Sequence, residues 1–158
     1  MKPKQEHAPL NILLADDDTD NCFFFDKALK EIPIATHLTT VYDGEQLMNY
    51  LFKNSDHLPD VLFLDLNMPR KTGFECLVEI KENEKLKDLP VIIFSTLFPC
   101  DINYEQGIID LLYQIGMQDY FGKPPEFSQF KQIIQQSLTL IAQANIAQPN
   151  NLIPTEYD

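Results

Sequence analysis

The sequence predicts an α/β protein, with a doubly wound parallel sheet of five strands and helices on both faces. Five short apolar or β-branched runs alternate along the chain with five segments of helical periodicity. The central run, Val61–Leu64, is continuously apolar, as expected for a strand buried on both faces. Right-handed crossovers between such strands place helices on both sides of the sheet.

The predicted strands are short, and turn residues or charges bound them. Four are apolar runs, whereas the second alternates and is rich in β-branched residues, ending at the turn Asp43-Gly44. The strands are predicted at residues 11–15, 35–42, 60–66, 91–94 and 118–122.

The predicted helices follow from apolar spacing and from residues that start or stop a helix. Thr19 or Asp20 is expected to cap the first helix and Pro33 to end it, and Gly116 stops the fourth. Adjacent helix positions diverge by about 100°, so one of the phenylalanines at 23–25 is expected to be exposed. The helices are predicted at residues 19–31, 45–53, 73–83, 104–115 and 126–143.

Length and composition indicate one domain that acts away from nucleic acids and membranes. The 158 residues are divided into a disordered lead (1–9), one folded domain (10–143) and a flexible tail (144–158). A net charge of -12 argues against binding to phosphate backbones or anionic lipids. The sequence has no apolar run of membrane-spanning length, no signal peptide and no metal-type cysteine spacing, so we expect a cytoplasmic protein.

Polar side chains follow four of the predicted strands. They are Asp16 and Asp17, then Asp65, then Ser95 and finally Lys123. Because the carboxyl ends of parallel strands lie at one edge of a sheet, these side chains should share one crevice. Three neighbouring carboxylates repel one another, and Mg²⁺, which prefers oxygen ligands, removes that conflict. A carboxylate nucleophile, a cation, a lysine and a hydroxyl group together favour phosphoryl capture on Asp65.

Four segments and one glycine lie in register with a known family pattern. They are residues 12–17, residues 65–69 with Gly73, residues 91–95 and residues 120–124. With them the chain resembles the receiver domain of two-component response regulators, from residue 11 to about residue 141. The resemblance implies the flavodoxin-like strand order 2-1-3-4-5. It weakly favours the stand-alone receivers that are paired with hybrid kinases or bacterial phytochromes.

The resemblance also implies the metal ligands and the phosphorylated residue. Asp65 would accept the phosphoryl group and contact the metal. Asp17 would bind Mg²⁺ directly, Asp16 would act through water, and Asn67 would contribute its backbone carbonyl.

A second set of residues would hold the phosphoryl group and respond to it. Ser95 and Lys123 would bind phosphoryl oxygens, with the backbone N–H of Thr96 nearby. Tyr120 would be the switch aromatic that moves inward with Ser95, and the Lys123–Pro124 peptide would be cis. The segment at 97–103 is longer than is usual for the family and would cover the site or form a partner surface.

The resemblance implies a phospho-acceptor switch rather than a metabolic enzyme. The phosphodonor would be a histidine kinase or a histidine phosphotransfer protein, and the chain would act as a monomer or homodimer on a downstream protein. Signalling by contact and relay of the phosphate share every motif, so both remain open. Slow loss of the phosphate by hydrolysis is expected.

Two other classes of protein share part of this pattern, but this chain lacks residues that each requires. A haloacid-dehalogenase-type phosphohydrolase also forms an aspartyl phosphate, but it needs a second acid two residues after the nucleophile, where this chain has Asn67. A flavodoxin-like electron carrier would need a Ser/Thr/Gly-rich phosphate loop after the first strand, where this chain has three aspartates.

Overall fold

The computed structural model describes residues 8–95 and 102–147, and these form a sheet of five strands with five helices. The elements alternate strictly along the chain. They are β1 (Leu10–Ala15), α1 (Thr19–Glu31), β2 (Thr36–Val41), α2 (Gly44–Lys53), β3 (Val61–Leu64), α3 (Gly73–Glu82), β4 (Val91–Ser95), α4 (Ile102–Ile115), β5 (Asp119–Gly122) and α5 (Phe127–Ala147).

All neighbouring strands are parallel, and their order is β2-β1-β3-β4-β5. This confirms the predicted fold class and strand order. Ala15 at the end of β1 lies beside Val41 of β2 and Leu64 of β3, and Ser95 at the end of β4 lies beside Gly122 of β5. The register therefore brings the carboxyl ends of all five strands to one edge of the sheet.

Two apolar layers cover the sheet, one on each face. Side chains of α2, α3 and α4 pack on one face, and side chains of α1 and α5 pack on the other. Residues along β1 alternate between the layers, with Leu13 in the first and Ile12 and Leu14 in the second. Among the described residues, no helix is both long enough and apolar enough to cross a membrane.

The helix starts depend on side chains that accept hydrogen bonds from free backbone N–H groups. Asp18, not Thr19 or Asp20, caps α1, because it is the residue with extended backbone, and it accepts hydrogen bonds from the N–H groups of Asp20 and Asn21. Thr72 and Glu75 form a reciprocal capping box at the start of α3. The predicted cap of α1 was wrong by one residue.

Two other helix boundaries differ from the prediction by two residues or more. Helix α4 begins at Ile102, so residues 102 and 103 belong to a helix and not to the predicted 97–103 loop, whose residues 97–101 lie outside the described part of the chain. Helix α5 continues four residues past the predicted end at 143, because residues 144–147 contain no helix breaker and Pro149 is the first. The tail predicted from residue 144 therefore starts too early, and residues 148–158 lie outside the described part.

The phenylalanines of α1 divide differently from the expectation. Phe25 is buried against Phe63 of β3, whereas both Phe23 and Phe24 are exposed. The apolar face of α1 continues through Ala28 and Leu29, so it admits only one of the three rings. Two rings, rather than one, lie at the surface.

Candidate functional site

The predicted site residues meet at the carboxyl edge of the sheet. Asp16 and Asp65 directly follow β1 and β3, Ser95 is the last residue of β4, and Lys123 directly follows β5. Asp16, Asp65 and Ser95 are buried, which is unusual for polar side chains and requires that each has a partner. The strand ends therefore position four of the predicted residues through backbone geometry alone.

Three carboxylates form a cluster at this edge. One carboxylate oxygen from each of Asp16, Asp17 and Asp65 lies within 4.8 Å of the other two. Asp16 and Asp65 are buried, whereas Asp17 is exposed, so the cluster opens to solvent on one side. Oxygen ligands at this spacing suit a hard divalent cation that keeps some of its water, and the cation would offset the mutual repulsion. The donor set therefore fits a divalent metal.

Asp65 lies at the centre of the hydrogen bonds in the site. The hydroxyl group of Ser95 donates to Oδ1 of Asp65 at 2.9 Å, and the backbone N–H of Asn67 donates to the same oxygen at 3.3 Å. The ammonium group of Lys123 lies 3.7 Å from Oδ2. A carboxylate held on both oxygens has a fixed direction, which is what a nucleophile needs for attack along one line.

Lys123 also binds Asp16, a contact that the sequence did not predict. Its ammonium nitrogen lies 2.7 Å from Oδ2 of Asp16, and its backbone N–H donates to the carbonyl of Ser95 at 3.1 Å. Burial raises the pKa of Asp16 above its ordinary value, although the hydrogen bond and charge of Lys123 act in the opposite direction. Lys123 thus bridges two of the three acids.

Tyr120 lies in β5, next to the strand that ends at Ser95, and on the face covered by α2, α3 and α4. Its hydroxyl group is buried and has no hydrogen-bond partner among the described residues. Burial, and after it the charge of Glu105, raises the pKa of Tyr120 to about 12. A buried hydroxyl group without a hydrogen-bond partner costs free energy, so a movement of the ring that gives the group a partner would be favourable. The switch role itself stays a prediction.

The remaining predicted residues have mixed outcomes. The side chain of Asn67 is exposed, and its backbone lies in the loop that follows Asp65. Thr96 lies outside the described residues, so its predicted contact is not placed. The described residues contain no cis peptide bond, so the expected cis Lys123–Pro124 bond was wrong. The trans form is the intrinsically favoured one before proline, and here Lys123 reaches both acids with it.

Known proteins with similar sequences include regulatory proteins of one family. A family model described as the response regulator receiver domain matches residues 12–135. The response regulator Rcp1 of Synechocystis sp. is 28% identical over 136 residues, which are 83% of this chain and 88% of that protein. The probable methanogenesis regulatory protein FilR2 of Methanothrix harundinacea is 26% identical over 131 residues, 81% of each chain.

Solved structures agree with the sequence comparison. The phosphorylated cyanobacterial phytochrome response regulator RcpA matches with a TM-score of 0.75 at 29% identity, over 87% of this chain and 96% of that one. The Mn²⁺-bound form of Rcp1 matches with a TM-score of 0.69 at 27% identity, over 81% and 91%. The haloacid-dehalogenase alternative is not favoured by these matches or by Asn67. This chain belongs to the response regulator receiver domain family.

Proposed function

We propose that this receiver accepts a phosphoryl group on Asp65. The observation that carries the proposal is the position of Asp65, which lies between Ser95 and Lys123 and within one cluster with Asp16 and Asp17. Receivers of this family are phosphorylated by histidine kinases. The donor here would be a phosphohistidine of such a kinase or of a histidine phosphotransfer protein.

The proposed reaction is an in-line displacement at phosphorus. A carboxylate oxygen of Asp65 forms the new O–P bond while the N–P bond of the phosphohistidine breaks, and the electron pair of that bond stays on the imidazole nitrogen. Lys123 and Ser95 would bind the equatorial oxygens of the phosphoryl group, with the N–H of Thr96 as a further donor. Their contacts with Asp65 before the reaction support these roles, because the same groups already point at the reacting carboxylate.

The proposed metal is Mg²⁺, held by Asp16, Asp17, Asp65 and the backbone carbonyl of Asn67. When bound, Mg²⁺ would supply positive charge that offsets the carboxylates and the phosphoryl oxygens. The Mn²⁺-bound structure of Rcp1 supports a divalent ion at the corresponding kind of site.

The proposed consequence of phosphorylation is a switch in binding to a downstream protein. Ser95 would leave the Asp65 carboxylate for a phosphoryl oxygen, and Tyr120, in the next strand, would respond to the space that Ser95 vacates. The hydroxyl group of Tyr120, which is buried and has no partner within the described part of the chain, supports movement of this ring. With hydrolysis of the acyl phosphate as its only turnover, the chain would be a switch and not a metabolic enzyme.

The test is phosphorylation by acetyl phosphate with Mg²⁺, read as intact mass. We expect one added phosphoryl group on the wild type, none on Asp65→Asn, and none on the wild type when EDTA is present. Asp56→Asn, which removes an exposed loop carboxylate, is the matched control and should be modified like the wild type. A wild type that gains no mass, or an Asp65→Asn variant that gains the same mass, would refute the proposal.

A further inference from the structure

The loop between β3 and α3 (residues 65–72, here called the β3–α3 loop) is pressed against the start of α2. A Cβ atom at Gly44, the first residue of α2, would collide with the backbone carbonyl of Lys71. Gly73 directly follows the loop, and a Cβ atom there would collide with the backbone of Asp65 and Leu66 at the start of the loop. Both glycines are needed for close approach rather than for an unusual φ. The loop that carries Asp65 and Asn67 therefore has little freedom to shift.

The middle of this loop is a tight three-residue turn. The N–H of Lys71 donates to the carbonyl of Pro69 at 2.7 Å, and Arg70 between them has a φ of 70°. This is a γ-turn with positive φ, a rare and strained conformation. Arg70 is the one non-glycine residue with positive φ among the described residues. Strain of this kind persists only where surrounding contacts enforce it.

Asp43 supplies such a contact. It is the N-cap of α2, and its Oδ1 accepts a hydrogen bond from the N–H of Gln46 at 2.8 Å. Its second oxygen, Oδ2, lies 3.3 Å from Nε of Arg70. Asp43 is buried, whereas Arg70 is mostly exposed. A buried carboxylate needs compensation for its charge; the start of α2 supplies part of it, and Arg70 adds to it from the strained turn.

We propose that Asp43, Gly44 and Arg70 are positioning residues for the metal, an inference that rests on the proposed function. The Asp43–Arg70 ion pair and the Gly44 contact hold the β3–α3 loop against α2. The loop then keeps the backbone of Asn67 where its carbonyl serves the cation held by the three acids. Ion pairs with one exposed partner contribute little to fold stability, so the main effect of this one is on geometry.

Direct electrostatics and positioning make opposite predictions for Arg70. Removing a positive charge from the loop that carries Asp65 would by itself strengthen binding of a cation. Releasing the loop would weaken binding, because supporting contacts around metal ligands commonly change affinity by about tenfold or more. The sign of the change in Mg²⁺ affinity for Arg70→Met therefore separates the two effects.

The experiment measures the Mg²⁺ dissociation constant by isothermal titration calorimetry. We expect Arg70→Met to bind about tenfold more weakly than the wild type, and Arg70→Lys, which keeps the charge, to recover part of the loss. The matched control is Lys53→Met, which makes the same change in net charge at the far, exposed end of α2. It should leave the affinity unchanged or slightly stronger. Without metal, Arg70→Met should move the midpoint of thermal unfolding by less than about 3 °C.

Two further variants test the contacts on the α2 side. Asp43→Asn keeps a side chain that caps helices well but removes the charge that faces Arg70. If the pair acts as a unit, the double variant Asp43→Asn/Arg70→Met should bind Mg²⁺ no more weakly than the weaker single variant. Gly44→Ala should also weaken binding, whereas Gly107→Ala in α4, where a Cβ has open space, should not.

The outcomes distinguish this inference from the proposed function. If Arg70→Met binds Mg²⁺ as tightly as the wild type or more tightly, the positioning role is refuted while the metal site stands. The same holds if the effects of Asp43→Asn and Arg70→Met simply add. If the wild type itself binds no Mg²⁺, the proposed function fails and this inference fails with it.

Discussion

Two acids at the carboxyl edge of the sheet are as buried as the aromatic layer under α1 and α5, but burial has a different consequence in each region. In the aromatic layer, Phe25 packs edge-to-face on Phe63 with ring centroids 5.0 Å apart, and Phe94 and Phe130 complete the group. At the edge, Asp16 and Asp65 are just as buried, yet both carry carboxylates. Burial stabilises the rings and raises the cost of the charges.

The comparison shows how the two regions depend on each other. The rings fix the strands, and the strands fix the backbone of the acids that follow them. The backbone thus holds one oxygen of each acid within 4.8 Å of the other two, where the carboxylates repel one another. Lys123 offsets part of this repulsion through its ion pair with Asp16. The layers thus hold the three acids in an arrangement that is unfavourable for their charges, and a bound cation would offset that repulsion.

The largest expected effect comes from emptying the aromatic layer. Phe63→Ala removes a ring that is fully buried and contacts both Phe25 and Phe94. The lost contacts and the cavity should lower the free energy of unfolding by roughly 3–5 kcal/mol. Urea unfolding followed by circular dichroism measures this change.

The control for that variant is a phenylalanine of α1 that the layer does not cover. Phe23→Ala truncates an exposed ring and should change the free energy of unfolding by less than about 0.5 kcal/mol. Equal losses for Phe63→Ala and Phe23→Ala would mean that the aromatic layer is not the source of stability.

At the carboxyl edge we expect a smaller change in the free energy of unfolding, and an increase rather than a decrease. Asp17→Asn removes one of three clustered carboxylates, so without metal the free energy of unfolding should rise by about 1 kcal/mol. The wild type should gain stability when Mg²⁺ is added, because a ligand that binds only the folded state stabilises it, and Asp17→Asn should gain much less. Urea unfolding with Mg²⁺ or with EDTA measures both changes.

Asp56→Asn, in the exposed loop after α2, serves as the reference for the loss of one negative charge. It should respond to Mg²⁺ like the wild type. The view that the edge is strained by its own charges would be abandoned if Asp17→Asn were destabilised without metal and still gained the full Mg²⁺ effect.

The smallest effect concerns the two described cysteines, Cys22 beside Asp16 at the edge and Cys76 in the layer on the other face of the sheet. Burial, and after it the charge of Asp16, raises the pKa of Cys22 to about 11, and burial raises the pKa of Cys76 to about 12. A raised thiol pKa keeps the unreactive protonated form at neutral pH. Alkylation of half-buried Cys22 by iodoacetamide should therefore be slow at pH 7 and should accelerate about tenfold per pH unit up to about pH 11.

Mass spectrometry of a Cys100→Ser variant measures this rate without a third thiol. Cys76 is fully buried on the inner face of α3 and should react only when the fold opens, so its rate should be far lower than that of Cys22 at every pH. A Cys22 rate that reaches its plateau near pH 8 would contradict the raised pKa.

Much of the fold and the site could be predicted because the signals are local. Asp16, Asp65, Ser95 and Lys123 each end or directly follow a short strand, and parallel strands must bring such positions to one edge. The cap of α1 was harder to predict, since Asp18, Thr19 and Asp20 are all suitable cap residues and only the backbone conformation chooses among them.

Contacts between distant segments could not be predicted from any local pattern. Asp43 and Arg70 are 27 positions apart, and neither belongs to a motif that would have paired them. The hydrogen bond between Lys123 and Asp16 spans 107 positions, and the sequence pattern indicates only a phosphoryl group as the partner of this lysine. Helix α5 extends beyond its predicted end at residue 143. In this extension the side-chain amide of Asn145 donates a hydrogen bond to the carboxylate of Asp60 at 3.2 Å.

By itself the sequence determined the alternation of strands and helices, and the polar site residues at the ends of four strands, because periodicity and turn residues act over a few positions. Tertiary structure alone decided which acids Lys123 joins, that Arg70 is held in a strained turn, and that Phe23 and Phe24 face solvent while Phe25 does not. These outcomes depend on which side chains meet once the helices have packed, and packing is set by the whole chain.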